Sequence, residues 1–255
     1  MLYERELDVA LHAVRRAREV ALKYFAQDVP VEEKPDRTPV TIADRECEDV
    51  IRRLLAESFP DDAILGEEGT SKASSSGRRW LIDPIDGTRD FVRRTPFWSI
   101  QLALEVDHRV VVGVIHLPCL GETMQATLGG GCYWNGTRTK VSAVSRLDKA
   151  VVTLSGFPAI WKSWPAVAIR YMTENCWTVR GYSACYDVVM VARGKVDAWL
   201  SGGGREWDYA PGRIIAQECG ARFLNRDGGD RIDARHCLIC APGLETELRE
   251  ILGID

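Results

Sequence analysis

Three acidic segments of the chain could do chemistry, because each adjoins an apolar run. Residues 66–69 (GEEG) follow the run 63–65 (AIL), and residues 83–88 (DPIDGT) follow the run 80–82 (WLI). Short apolar runs of this kind predict β-strands. The third segment, residues 206–208 (EWD), precedes an apolar stretch with helical spacing. The chain therefore places carboxylates at two strand ends and ahead of one helix.

The segment at residues 83–88 favours a metal site beside a phosphate. Pro84 cannot donate a ladder hydrogen bond, so the strand is predicted to end there and Asp83 and Asp86 can converge on the turn. Converging carboxylates repel each other unless they are protonated or hold a cation, and their hard oxygen atoms select Mg²⁺, Mn²⁺ or Ca²⁺ over zinc. The N–H groups of Gly87 and Thr88 could open a helix and face an anion. The alternative is an ordinary turn, since Asp-Pro and Asp-Gly pairs are common turn formers.

Composition limits the classes of function. The chain has 255 residues, of which 45% are hydrophobic and 27% charged, as in an ordinary globular protein. Its net charge of −4 disfavours non-specific nucleic-acid binding, and we expect no membrane span because no apolar run is long enough. Charged residues at positions 4–6 predict that no secretory signal is present, so a cytoplasmic location and eight free cysteine thiols are expected.

Apolar spacing predicts helices and strands in both halves of the chain. Helices are predicted over residues 3–26, 41–58, 186–192 and 210–219. Strands are predicted over residues 63–65, 80–82, 98–104, 110–115, 151–154, 179–180 and 198–200, with a tight turn at Asn135-Gly136. We expect an α+β fold. Its N-terminal half (1–145) would carry most of the candidate metal ligands, and its C-terminal half (146–255) would carry Asp208 and part of the substrate wall.

Four segments together resemble the inositol monophosphatase superfamily of Mg²⁺-dependent, lithium-sensitive phosphatases. They are residues 38–44 (TPVTIAD), 66–69, 81–92 (LIDPIDGTRDFV) and 207–212 (WDYAPG), in the family's order and at suitable spacing. Residues 114–118 (VIHLP) and 129–136 (GGGCYWNG) are similar to the histidinol-phosphatase-like branch. The resemblance covers nearly the whole chain. It implies the layered α/β/α/β/α sandwich of the inositol monophosphatase and fructose-1,6-bisphosphatase type.

The resemblance also implies a role for each acidic residue. The implied metal ligands are the side chains of Glu67, Asp83, Asp86 and Asp208 and the carbonyl of Ile85, for two or three Mg²⁺ ions that Mn²⁺ can replace. Asp44 and Thr88 would orient and deprotonate the attacking water, with Glu68 near the first metal and its waters. Gly87 and Thr88 would bind the phosphate. The implied reaction is in-line attack of a metal-activated water on a small phosphate monoester, without a phospho-enzyme.

The resemblance implies histidinol phosphate or myo-inositol monophosphate as substrate, but the segment 180–187 departs from both branches. Many histidinol phosphatases have an acidic residue near position 184, and the inositol enzymes have a glutamate near position 201. This chain has Ala184 and Ser201 at those positions. The remaining candidates for substrate contacts are Arg180, Ser183, Asp187 and Glu206.

Other functions stay open from the sequence. The alternatives are a 3′(2′),5′-bisphosphate nucleotidase or a fructose-1,6-bisphosphatase of the same superfamily, or a regulatory or assembly protein that keeps the fold. The alternative enzymes usually carry extra basic or inserted segments, and the sequence has none that is obvious. The complete set of acids favours an enzyme. The resemblance implies a homodimer, with a small phosphorylated substrate as partner and neither nucleic acid nor membrane.

Overall fold

The described residues form two large β-sheets, one small two-stranded sheet and three groups of helices. The protein's structure is a computed structural model that describes residues 2–69, 71–74 and 76–255, with the backbone alone at 184 and 185. The thiol of Cys185, one of the eight cysteines, therefore lies outside the described residues. The described α-helices are α1 (Glu4–Phe25), α2 (Ile42–Ser58), α3 (Thr88–Arg93), α4 (Phe157–Ser163), α5 (Ala166–Asn175), α6 (Ala184–Ala192), α7 (Glu206–Cys219) and α8 (Glu245–Leu252). The described strands are β1 (Val31–Glu33), β2 (Pro39–Thr41), β3 (Ala63–Gly66), β4 (Ser71–Lys72), β5 (Arg78–Asp86), β6 (Ser99–Val106), β7 (Arg109–Leu117), β8 (Glu122–Thr127), β9 (Gly131–Trp134), β10 (Thr137–Arg138), β11 (Val151–Ser155), β12 (Thr178–Arg180), β13 (Ala198–Gly202), β14 (Arg222–Leu224) and β15 (His236–Cys240).

The elements stack in five alternating layers of helix and sheet, as the resemblance implies. Helices α1 and α2 cover one face of an eight-stranded sheet with the order β10-β9-β8-β7-β6-β5-β3-β4, and α6 and α7 cover its other face. These two helices also pack against a five-stranded sheet with the order β12-β11-β13-β15-β14. The outer face of the smaller sheet carries α4, α5 and α8. Buried apolar side chains fill each interface, which is the reason the layers hold together.

The two sheets are drawn from the two predicted halves of the chain. The strands of the larger sheet all lie before residue 139, and those of the smaller sheet lie after residue 150. Helices α6 and α7 belong to the second half and contact both sheets. They are therefore the elements that can bring residues of the second half to an edge of the larger sheet. The division into two domains stays a prediction.

The first two helices confirm the predicted ranges 3–26 and 41–58 within one residue. The buried residues of α1 are mostly alanines, at positions 10, 13, 17 and 21, and these small side chains let α2 lie close to it. The Oγ1 of Thr41 accepts a hydrogen bond from the N–H of Ala43 (3.1 Å) and so caps α2. The cap places Asp44 in the first turn of α2, where its side chain is buried. None of the described helices is long and apolar enough to cross a membrane.

The prediction that the strand ends at Pro84 is wrong, because β5 continues to Asp86. Asp83 pairs with Gln101 and Asp86 pairs with Ser99, so three steps along β5 match two steps along β6. This extra residue is a β-bulge, and a bulge accommodates a proline that lacks the N–H needed in a regular ladder. The bulge turns the end of β5, which lets Asp83 and Asp86 lie on one side.

Helix α7 begins four residues earlier than the predicted range 210–219. Asp208 is therefore in its first turn and not ahead of it. The Oδ2 of Asp208 accepts a hydrogen bond from the N–H of Arg205 (2.6 Å), which stabilises the earlier start. The helix passes through Pro211, which also lay inside the predicted range. The tight turn at Asn135-Gly136 is confirmed, with positive φ at both residues between β9 and β10.

Candidate active site

The carboxyl ends of β3 and β5 lie at one edge of the larger sheet, because the two strands are parallel neighbours. Glu67 and Glu68 follow β3, and Asp83 and Asp86 lie at the end of β5. The first turn of α7 brings Asp208 to the same place. One carboxylate oxygen from each of Asp83, Asp86 and Asp208 lies within 4.8 Å of the other two. We call these three residues the acidic edge.

Each carboxylate of the acidic edge is held differently. The Oδ2 of Asp86 accepts a hydrogen bond from Gln101 Nε2 (2.8 Å), and Asp208 is held by the N–H of Arg205. Asp83 is 1% exposed, and its Oδ1 accepts no hydrogen bond from any residue that the structure describes. A buried oxygen without a donor is costly. A bound cation would stabilise this oxygen directly.

Ionising the carboxylates of the acidic edge costs free energy when no counter-ion is bound. Burial raises the pKa of Asp83 well above its usual range, and the neighbouring charges of Glu67, Asp86 and Asp208 raise it further. Burial also raises the pKa of Asp208, together with the charges of Asp86 and Glu67. Three converging carboxylates with raised pKa values are compatible with a divalent metal, because such an ion prefers oxygen ligands and removes the repulsion.

Lys34 is a residue of the site that sequence reasoning missed. Its Nζ donates to Glu67 Oε1 (2.9 Å) and to Glu68 Oε1 (2.7 Å) from the turn between β1 and β2. Burial raises the pKa of Glu68 to about 7, although Lys34 opposes the shift. The N–H of Glu68 donates to the buried carboxylate of Glu48 (2.8 Å), which fixes the turn after β3. The side chain of Glu67 thus contacts Lys34 and is not one of the three residues of the acidic edge. Nothing in the sequence around position 34 points to this contact.

Asp44 and Thr88, the predicted catalytic pair, are brought together from α2 and α3. Thr88 Oγ1 lies 3.2 Å from Asp44 Oδ1 and 3.2 Å from the carbonyl oxygen of Ile85. The other carboxylate oxygen of Asp44 accepts hydrogen bonds from the N–H (2.8 Å) and Oγ1 (2.6 Å) of Thr41. Burial raises the pKa of Asp44, while these hydrogen bonds lower it. One hydroxyl therefore links a buried carboxylate to the carbonyl that was predicted to bind metal.

Gly87 joins the acidic edge to α3, which begins at Thr88 as predicted. Its φ is +90°, a conformation that favours glycine. A Cβ at this position would lie 3.1 Å from the carbonyl oxygen of Phe97, so the backbone is closely packed there. The predicted phosphate contacts of Gly87 and Thr88 thus fall on the turn that directly follows Asp86.

The four predicted substrate residues are scattered. Arg180 is exposed, and its Nη1 donates to Thr178 Oγ1 (2.7 Å). Ser183 is buried at the start of α6. Asp187 is fully buried, and burial raises its pKa to about 8. Glu206 forms an ion pair with Arg79 (2.6 Å), at the opposite end of β5 from Asp86.

The positions of Asp187 and Glu206 change the interpretation of these two predicted substrate contacts. Neither offers a free carboxylate to a substrate in this structure, because Asp187 is enclosed by the core and Glu206 is neutralised by Arg79. A direct contact of either residue with a substrate is therefore not supported. Arg180 and Ser183 stay predictions.

Three aromatic rings stand beside the acidic edge, and sequence reasoning missed them. The ring of Tyr186 on α6 lies 5.5 Å from that of Phe97 and 5.6 Å from that of Tyr182, measured between centroids. Phe97 is next to the turn at Gly87, and Tyr182 is 40% exposed. We call these three residues the aromatic wall. Their positions in the sequence are too far apart for any local pattern to have indicated the wall.

The sequence matches the model of the inositol monophosphatase family over residues 3–252. The histidinol-phosphatase of Chlorobaculum parvum is 36% identical over 89% of this chain and 88% of that protein, and the histidinol-phosphatase of Mycobacterium tuberculosis is 35% identical over 88% of each. The Nus factor SuhB of Escherichia coli is 31% identical over 88% of this chain and 86% of that protein. The protein belongs to the inositol monophosphatase family, a family of phosphatases.

Solved structures share the whole fold. The extragenic suppressor protein SuhB of Bartonella henselae superposes with a TM-score of 0.90 at 25% identity, covering 97% of this chain and 98% of that chain. The IMPase of Thermotoga maritima gives a TM-score of 0.87 at 30% identity, covering 98% and 97%. An IMPase/NADP phosphatase, solved with Mg²⁺ and phosphate, gives 0.85 at 19% identity, covering 100% and 97%, and shows likeness of fold alone.

Proposed function

We propose that the protein hydrolyses a small phosphate monoester with Mg²⁺ bound at the acidic edge. The observation that carries this proposal is the meeting of Asp83, Asp86 and Asp208 within 4.8 Å, at the turn that leads to Thr88. The hard carboxylate oxygens of these residues support the choice of Mg²⁺ over zinc. Mn²⁺ would substitute, because it accepts the same oxygen ligands.

The residues around the acidic edge suit this reaction. Mg²⁺ would supply an activated water and neutralise charge on the phosphate. Thr88 Oγ1 would accept a hydrogen bond from the attacking water and direct its own proton toward Asp44 Oδ1, 3.2 Å away. The N–H groups of Gly87 and Thr88 would hold the phosphate oxygens in place. The buried position of Asp44 keeps this proton path away from bulk water.

We propose histidinol phosphate as the substrate in preference to myo-inositol monophosphate. The two histidinol-phosphatases, at 36% and 35% identity, support this choice. The aromatic wall supports it independently, because aromatic rings favour contact with a planar imidazole over the hydroxyl-covered ring of inositol. A polyol would leave hydroxyl groups against Phe97 and Tyr186 without partners, which costs affinity.

A phosphate-release panel tests the proposal. Turnover of histidinol phosphate, myo-inositol 1-phosphate, fructose 1,6-bisphosphate and adenosine 3′,5′-bisphosphate would be measured with Mg²⁺ and, as a control, with EDTA. We expect the highest kcat/KM for histidinol phosphate and no release with EDTA. A higher kcat/KM for one of the other esters would identify that ester as the preferred substrate. The proposed reaction, hydrolysis of a phosphate monoester, would still hold.

An assembly role is the second candidate, because the SuhB relatives carry the name Nus factor. It predicts no release from any of the four esters, together with a stable macromolecular complex recovered from cell extract. The absence of phosphate release from all four esters with Mg²⁺ would contradict the hydrolase proposal. The same acidic edge would then be a structural metal site.

A further inference from the structure

A basic groove lies at the C-terminal end of α6. It encloses about 680 Å³ and is lined by residues of two segments, 134–143 and 193–195. Four cationic side chains line it: Arg138, Lys140, Arg193 and Lys195. Among the residues that the structure describes, no aspartate or glutamate lines this groove. We call these four residues and the space between them the basic groove.

Three of the four cations are unpaired. Arg138, Lys140 and Lys195 form no ion pair or side-chain hydrogen bond with any of the residues that the structure describes, and both lysines are exposed. Arg193 is different, because its Nη1 pairs with Glu122 (3.1 Å) and its guanidinium lies 3.8 Å from the centre of the Trp134 ring. Three uncompensated positive charges in one concave surface repel one another and attract an anion.

The two cation-bearing segments are fixed against each other. Gly194 has a φ of +65°, and a Cβ there would lie 3.2 Å from the N atom of Ser142 and 3.3 Å from the carbonyl oxygen of Lys140. Ser142 Oγ in turn donates to the buried carboxylate of Asp197 (2.5 Å), which also accepts from the N–H of Val151 (2.7 Å). The spacing of the two backbone segments that carry the charges is therefore set by packing before any ligand arrives.

The basic groove is separate from the predicted phosphate site. Tyr186 belongs to the aromatic wall, and Arg193 follows it by seven residues at the end of α6. Seven residues of helix span about 10 Å. A single phosphate ester at the acidic edge therefore does not reach the groove, and the groove needs an anion of its own.

We propose that the basic groove binds an oligophosphate group, either as a free oligophosphate or as the phosphate chain of a nucleotide. A dense run of negative charges matches three unpaired cations, whereas one phosphate would leave charge uncompensated. Single-stranded RNA fits less well. Trp134 is the aromatic ring of the groove, and Arg193 and Glu122 already occupy its face and its Nε1, so it offers no platform for a base.

Calorimetric titration of the metal-free protein tests this proposal. The probes are tripolyphosphate, ATP and a single-stranded oligoribonucleotide, each at low ionic strength and in EDTA. Without metal the acidic edge repels anions, so binding there does not interfere. The test variant is the double substitution Lys140→Gln and Lys195→Gln. The matched control is Lys23→Gln and Lys149→Gln, which removes the same charge from exposed positions outside the groove.

The expected result is that tripolyphosphate or ATP binds the wild type, and that the groove variant binds it at least about tenfold more weakly. The control variant should stay within about twofold of the wild type. Tripolyphosphate binding as well as ATP would identify the phosphates as the recognised group, and ATP alone would identify a nucleotide. Equal weakening in both variants, unchanged affinity in the groove variant, or binding of the oligoribonucleotide alone would overturn the proposal.

Discussion

The acidic edge and the aromatic wall are neighbours, yet they are held in place by different forces. Asp86 and Asp208 accept hydrogen bonds from Gln101 and from the backbone at Arg205, so their positions follow from the strand and helix that carry them. The rings of the aromatic wall touch one another and come from two loops and a helix. Their positions depend on how these elements pack.

This difference indicates that metal binding and the choice of substrate depend on different parts of the site. Hydrogen-bonded carboxylates at strand ends can present the same metal chemistry to many phosphate esters, because the geometry is set by backbone. Packed rings change shape when one residue changes, so they can alter which ester is accepted. We therefore expect substitutions in the acidic edge to affect every substrate alike, and substitutions in the aromatic wall to separate substrates.

The largest effect is expected from Asp83→Asn. Loss of outer partners of a metal ligand commonly costs roughly 10- to 100-fold in activity. Removing a ligand itself should cost more, so we expect kcat/KM to fall by more than about 100-fold for all substrates. Phosphate release and Mg²⁺ titration would measure both changes.

Asp148→Asn is the matched control, since Asp148 is an exposed residue of a short turn. It should leave kcat/KM unchanged. The melting temperature of metal-free Asp83→Asn should be no lower than that of the wild type, because a buried acid that is costly to ionise has been replaced by a neutral amide. Retained activity with an unchanged Mg²⁺ requirement would contradict the role assigned to Asp83.

A smaller and selective effect is expected from Tyr186→Ala. Aromatic pairs contribute about 0.5–1.5 kcal/mol beyond burial, so KM for histidinol phosphate should rise roughly three- to tenfold with little change in kcat. The ring-free ester glycerol 2-phosphate should change less. Tyr186→Phe keeps the ring and should behave like the wild type. Equal losses for both esters would show that the aromatic wall has no part in choosing the substrate.

The smallest effect concerns pH and metal. Burial raises the pKa values of Asp83 and Asp208, so the folded metal-free protein keeps protons that the unfolded chain releases above about pH 4. The contribution of these two groups to stability is then greatest below that pH and falls as the pH rises through the raised pKa values. Under the proposed function, Mg²⁺ bound at the acidic edge would replace these protons. We expect added Mg²⁺ to raise the melting temperature more at pH 8 than at pH 5.

Asp187→Asn distinguishes the effect of pH on the acidic edge from the effect of pH on another buried acid. The pKa of Asp187 is raised by burial to about 8, and the residue is not a predicted metal ligand. The variant should reduce the fall in melting temperature of the metal-free protein between pH 5 and pH 8. Its Mg²⁺-dependent increase should match that of the wild type. Equal Mg²⁺-dependent increases at the two pH values in the wild type would count against the coupling of metal and protons at the acidic edge.

Local patterns predicted much of the fold and failed where a contact between distant segments decided the outcome. The helical spacing of residues 3–26 and 41–58 predicted α1 and α2, because apolar residues on one face are a local property. Pro84 was predicted to end a strand, yet a bulge accommodates it within β5. Strand β8, whose residues alternate less clearly, was not predicted.

The sequence by itself determined which side chains are available for chemistry: Asp83, Asp86 and Thr88 within six residues, and Asp208 at the start of an apolar helix. It could do so because the identity of a ligand atom and a short spacing along the chain are local properties. The tertiary structure decided which other groups contact the residues of the site and which predicted site residues are buried. The contact of Lys34 with Glu67 and the enclosure of Asp187 depend on layer packing, because each brings together groups that no local spacing relates.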